Sequence, residues 1–124
     1  MGAMQSATKR ETTGVIDLES LEERCLGNVQ LVERVLNKFT AQLEADLATL
    51  EEALEASDAE TFRAIAHRLK GMSANVEAWP LHACAKEAEE VALGRDMADL
   101  AKHLERFHEM RLQLSTALKA LVTW

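Results

Sequence analysis

The chain has 124 residues, long enough for one domain with a core of its own, and its richness in Ala, Leu and Glu with only one Pro, five Gly and 4% aromatic residues favours helices over sheet. A formal net charge of −7 and a pI near 5.1 argue against a general nucleic-acid binder. No apolar run approaches the roughly 18 residues of a membrane span and no signal-peptide pattern opens the chain, so a soluble, cytoplasmic domain without membrane contact is expected.

In chain order, Met1–Met4 reads as a cloning scar and Gln5–Gly14 as a polar linker without periodicity, which leaves 15–124 as the domain, either free-standing or excised from a longer protein. Asp17 is a good N-cap for a short helix from Leu18 to about Cys25, closed by Gly27 and Asn28. A long helix follows from Val29 to about Ala56. Its seam is Val32, Leu36, Phe39, Leu43, Leu47, Leu50 and Leu54, at steps of three and four. Ser57 and Glu60 form a capping box for a third helix with Phe62, Ile65, Leu69, Met72 and Val76 inward, lasting to about Glu77.

Ala78-Trp79-Pro80 makes a tight connection, with Pro80 suited to the first position of a fourth helix and Trp79 expected to cover the bundle end. The fourth helix turns a narrow, Ala-rich seam inward through Leu81, Cys84, Ala88 and Val91, and Gly94 ends it. Asp96, reinforced by Asp99, caps a last helix with Met97, Leu100, Leu104, Phe107, Leu114, Leu118 and Leu121 in its seam and Arg111 at a wet edge. Four long helices on short loops predict an all-α, antiparallel up-down-up-down four-helix bundle with a short additional N-terminal helix. The bundle consumes its apolar seams, so a monomer is expected. Cys25 and Cys84 fall near apolar positions and read as buried free thiols.

The chemistry is concentrated on the third helix. At about 100° per residue, His67 projects away from the seam into water. Its outward neighbours are Ala64, Gly71 and Ala74, small where long polar residues are usual, with Arg63 and Lys70 on one flank. A neutral imidazole is a competent nucleophile near pH 7. Lys70 at i+3 lies within reach of a group attached to His67, and Gly71 at i+4 clears space beside the ring. A cation and a clearance suit a phosphoryl group. No nucleotide-binding loop and no Mg²⁺ carboxylate cluster occurs, so that group must come from, and go to, another protein. His82, His103 and His108 lack ligand spacing, so no metal site is expected and the three read as solvated or half-buried surface residues.

The run Ala66-His67-Arg68-Leu69-Lys70-Gly71-Met72-Ser73-Ala74-Asn75 closely resembles the signature of histidine phosphotransfer (HPt) domains, and the resemblance extends over roughly Val15 to Leu121. It implies a phosphorelay intermediate in two-component signalling. His67 would be the phosphoacceptor, Lys70 would stabilise the phosphoryl oxygens, and Gly71 would admit the partner. Arg63, Ala64 and Ala74 would form the docking rim.

The implied partners are response-regulator receiver domains, which would bring the Mg²⁺; this domain would carry no cofactor. It could stand alone or be the C-terminal module of a membrane-bound hybrid sensor kinase. The alternatives are the substrate domain of a chemotaxis-type kinase, or a helical adaptor using the same face without phosphorylation. Two features depart from the family pattern. Glu77-Ala78-Trp79-Pro80 must turn without Gly, and Glu89 lies near the phosphohistidine position, where a carboxylate would repel phosphate; a surface role is expected for it.

Overall fold

The structure, a computed structural model, describes residues 14–122. The expected cloning scar and all but the last residue of the expected linker lie outside the described residues. Among the described residues there are five helices and no strand: α1 (Leu18–Arg24), α2 (Val29–Glu55), α3 (Ala59–Asn75), α4 (Trp79–Leu93) and α5 (Met97–Val122). Helix α2 packs on α3 and α5, and α4 packs on the same two, which closes the four long helices into an up-and-down ring.

The expected seams meet in this ring. Leu36, Leu43 and Leu50 of α2, Phe62 and Leu69 of α3, Leu81 and Cys84 of α4, and Leu100, Phe107 and Leu114 of α5 are fully buried. Met110 supplies the turn of α5 between Phe107 and Leu114, while Arg111 sits at the edge and pairs with Glu44 across to α2. Both cysteines are free and buried, and burial pushes the Cys84 thiol up to about 11, so it stays protonated. Leu121 lies outside the residues whose side chains are described.

Helix α1 fastens the far end of α3. The Asp17 amide donates to the Glu77 carbonyl at 2.9 Å, and Arg24 donates to the Asn75 carbonyl at 3.0 Å while approaching the Glu77 carboxylate at 3.4 Å. A guanidinium on the last carbonyls of a helix satisfies an orphan acceptor and complements the helix dipole. On the other side, Arg68 of α3 donates to the buried Asp46 carboxylate of α2, which also accepts from Gln42 Nε2 at 3.1 Å.

Every interhelical turn uses one device. Leu26, Ser57, Glu77 and Arg95, each two residues beyond its helix, adopt left-handed backbone with φ between 53° and 62°. After α1, α2 and α3 the next amide returns to the third-last carbonyl: Gly27 to Glu22, Asp58 to Ala53 and Ala78 to Ser73, each at 2.8 Å. These are Schellman closures with a non-glycine at the left-handed position. They correct two expectations. Gly94 ends α4 with right-handed backbone, and the left-handed step falls to Arg95. Ser57 takes the left-handed position, which leaves Asp58 as the N-cap of α3 in place of the Ser57–Glu60 box; Asp58 accepts from the Thr61 amide at 3.1 Å and the Thr61 hydroxyl at 2.6 Å. Likewise α4 begins at Trp79, with Pro80 second; Trp79 is 47% exposed and its ring packs edge-on against His82.

Candidate functional site

On α3, Phe62, Ala66, Leu69 and Ser73 face the core, and His67 is thereby turned outward with 68% of its side chain exposed. Arg63 and Ala64 are exposed on the same stretch, Ala74 is half-buried, and Lys70 is partly covered. A Cβ added at Gly71 would meet nothing within 4 Å beyond its chain neighbours and the backbone of its own helix. Packing inside the chain therefore does not require glycine there, and its smallness opens the surface beside the ring.

The ring is held from α4. His67 Nδ1 lies 2.5 Å from Glu89 Oε2, and Lys70 Nζ donates to Glu89 Oε1 at 2.8 Å. A single carboxylate thus bridges the imidazole and the ammonium with both oxygens. The hydrogen bond from Lys70 is the main reason that Glu89 stays below the ordinary carboxylate range, and the contact with His67 adds to it. An ionised carboxylate only accepts, so Nδ1 carries a hydrogen, and in the neutral form of such a ring the lone pair lies on Nε2. Arg63, Ala64, His67 and Glu89 line a depression of about 350 Å³ at this point.

Glu89 lies beside His67, where its spacing places it, but it is more covered than the surface role expected of it. It is not a bystander on the surface: 82% of its side chain is covered, and it makes the closest contact to His67. The signal was present in the hairpin. His67 stands eleven residues before Ala78 and Glu89 eleven after it, so an antiparallel pair folded about Ala78 brings them level. His103, expected at the surface, is buried, with Nδ1 donating to the Asp99 carbonyl at 2.8 Å. It lies three residues after Leu100 and four before Phe107, on the inward side of α5. His108 pairs with Glu51 at 2.8 Å, and His82 is half-buried against α3. Among the described residues, no cluster of His, Cys, Asp and Glu has metal-binding geometry.

No curated protein and no solved structure matches the chain. The family model of the Hpt domain matches residues 34–124, which takes in α3 with His67 and its Lys70-Gly71 sequel, and α4 with Glu89. With an all-helical bundle that presents one histidine on the outer face of its third helix, the chain belongs to the Hpt domain family, whose members transfer phosphoryl groups through histidine in phosphorelays.

Proposed function

We propose that the domain is a phosphorelay intermediate in which His67 accepts a phosphoryl group from the aspartyl phosphate of one receiver domain and passes it to another. The carrying observation is the bridge His67–Glu89–Lys70. With hydrogen on Nδ1, the Nε2 lone pair attacks phosphorus as the aspartyl O–P bond breaks, and no proton has to leave the ring. The phosphorylated ring, still holding its Nδ1 hydrogen, is cationic, and the Glu89 carboxylate lies against that charge. Return transfer reverses the step: a receiver carboxylate attacks phosphorus and Nε2 departs with its electron pair.

Lys70 is tied to Glu89 within reach of the phosphoryl oxygens, and Arg63, Ala64 and Ala74 form the rim on which the receiver settles. On the α2 side of α3, a groove of about 600 Å³ with Phe39 and Met72 in its wall and Lys38 and Arg68 beside it offers apolar footing edged with cations. Such an edge complements the acidic, Mg²⁺-binding mouth of a receiver.

One observation favours a second reading. A carboxylate on Nδ1 strengthens Nε2 as a nucleophile and makes it a poorer leaving group, which suits a domain charged by a separate ATP-dependent kinase. Incubation with a phosphorylated receiver should give acid-labile, base-stable label in the native protein and none in His67→Gln. Label persisting in that variant overturns the assignment. Labelling only by a kinase domain with ATP selects the second reading. Lys70→Ala should slow transfer while leaving thermal stability nearly unchanged, because Lys70 lies off the buried seam.

A further inference from the structure

The mechanism leaves the half-buried imidazole of His82 unused. His82, on the first turn of α4, places Nδ1 2.9 Å from the backbone carbonyl oxygen of Lys70. A carbonyl accepts only, so His82 donates from Nδ1. That carbonyl lies in the interior of α3, where helix geometry already gives it a partner four residues on, so the imidazole is a second donor recruited from a neighbouring helix. The ring is not free to swing: the Trp79 ring meets it edge to face, centroids 5.5 Å apart at 79°.

Lys70 is thereby gripped twice from α4. Glu89 takes its ammonium, and His82 takes its carbonyl. The two α4 residues are seven apart, two helical turns, and so lie on one face. The geometry explains why both reach the same residue: a helical carbonyl points toward the C-terminus and a helical side chain leans toward the N-terminus, so Lys70 extends in both directions along an antiparallel neighbour. Sliding or rotating α4 against α3 would break one grip or the other.

We infer that His82 is a positioning residue for phosphoryl transfer, holding the Lys70 backbone against α4 so that the Lys70 ammonium stays registered on Glu89 beside His67. This rests on the phosphotransfer reading given above, and it adds a residue that lies outside the signature run and touches neither the phosphoryl group nor His67.

The test uses two substitutions. Asn places its side-chain amide where the imidazole carries Nδ1, so His82→Asn retains a donor to the Lys70 carbonyl, whereas His82→Phe keeps a ring and removes the donor. Transfer from a phosphorylated receiver should fall about three- to tenfold in His82→Phe, the size expected for one lost hydrogen bond, and recover in His82→Asn. In a Lys70→Ala background His82→Phe should cause no further loss, since its effect runs through Lys70. Equal losses with and without Lys70, or no recovery with Asn, would show a structural role only and overturn the inference.

A readout independent of transfer keeps the two claims apart. In the unphosphorylated protein, ring ¹⁵N spectra should show His82 hydrogenated at Nδ1, and the Lys70 ammonium resonance should shift in His82→Phe but not in His82→Asn. Failure of native protein to take label from any receiver, with these spectra as expected, sinks the phosphorelay reading and leaves the tether standing. Spectra showing His82 hydrogenated only at Nε2 sink the tether whatever the transfer assay reports.

Discussion

In the transfer proposed above, Glu89 decides what kind of nucleophile His67 is. A lone exposed imidazole exchanges its hydrogen between two nitrogens and spins about its bonds, whereas a ring held at Nδ1 presents one nitrogen in one direction. The carboxylate faces the nitrogen opposite Nε2, so its charge meets the ring before it meets the phosphoryl group. The repulsion expected from a carboxylate near phosphate is thereby reduced, with Lys70 taking the second oxygen. Glu89→Ala should lower the transfer rate roughly ten- to a hundredfold, the cost that losing the hydrogen-bond partner of a metal-ligating histidine carries.

The pH dependence has a definite sign. Because Glu89 is depressed below its ordinary value of 4.5, the bridge contributes stability above that value and loses it as pH falls through the depressed one. Carboxyl titration followed by NMR should place the Glu89 midpoint below 4.5 in the native protein, and Lys70→Ala should move it upward, since the Lys70 hydrogen bond is the largest cause. A midpoint unmoved by that substitution would contradict the bridge. His67, Lys70 and Gly71 were legible from sequence because they share one helix and i, i+3, i+4 spacing declares their common face. Glu89 was legible in its place but not in its contacts, and His82 in neither, because their parts depend on the register between two helices, which periodicity within either helix does not state.

At the scale of elements, helix lengths and seams were readable to within two residues, and the turns were not. A sequence scan looks to glycine for left-handed closure, and this chain places Leu26, Ser57, Glu77 and Arg95 there instead. After α1, α2 and α3 the bond from the following amide to the third-last carbonyl compensates for the local strain. Glu77 shows why a side chain can be worth keeping at such a site, since it approaches Arg24 and so helps α1 hold the end of α3. Leu26 has no such return: it is 94% exposed at φ 56°. Leu26→Gly should therefore raise stability by about 0.5–1 kcal/mol, the relief of left-handed strain less the added freedom of the unfolded chain. Urea denaturation would read this as a higher midpoint at unchanged slope. A lower midpoint would mean that the leucine makes a contact its exposure does not reveal.

For the whole molecule, the site depends on how closely two helices lie. Helices α3 and α4 share the most extensive interface of the bundle, and small residues are buried on both: Ala66 on α3, and Cys84, Ala85, Ala88 and Ala92 on α4. The Ala-rich seam of α4 was legible in the sequence as a permit for close packing, but its consequence was not. Only with the backbones close can a glutamate side chain from α4 reach past the interface to an outward-facing imidazole on α3. Larger seam residues would serve the core as well by apolar area alone, at the cost of a wider axis separation. Ala88→Leu places extra methylenes in a fully buried position next to Glu89 and should destabilise the domain by about 1–3 kcal/mol. Its more telling effect should be on chemistry. If α4 is levered away from α3, the Nδ1 hydrogen of His67 loses its short contact with Glu89, and its low-field proton resonance should weaken or vanish while the helical circular dichroism persists. Transfer should then fall toward the level of Glu89→Ala, although no residue of the bridge has been altered. A variant that is destabilised yet keeps both the resonance and the transfer rate would show that the bridge tolerates a wider separation than the close seam implies.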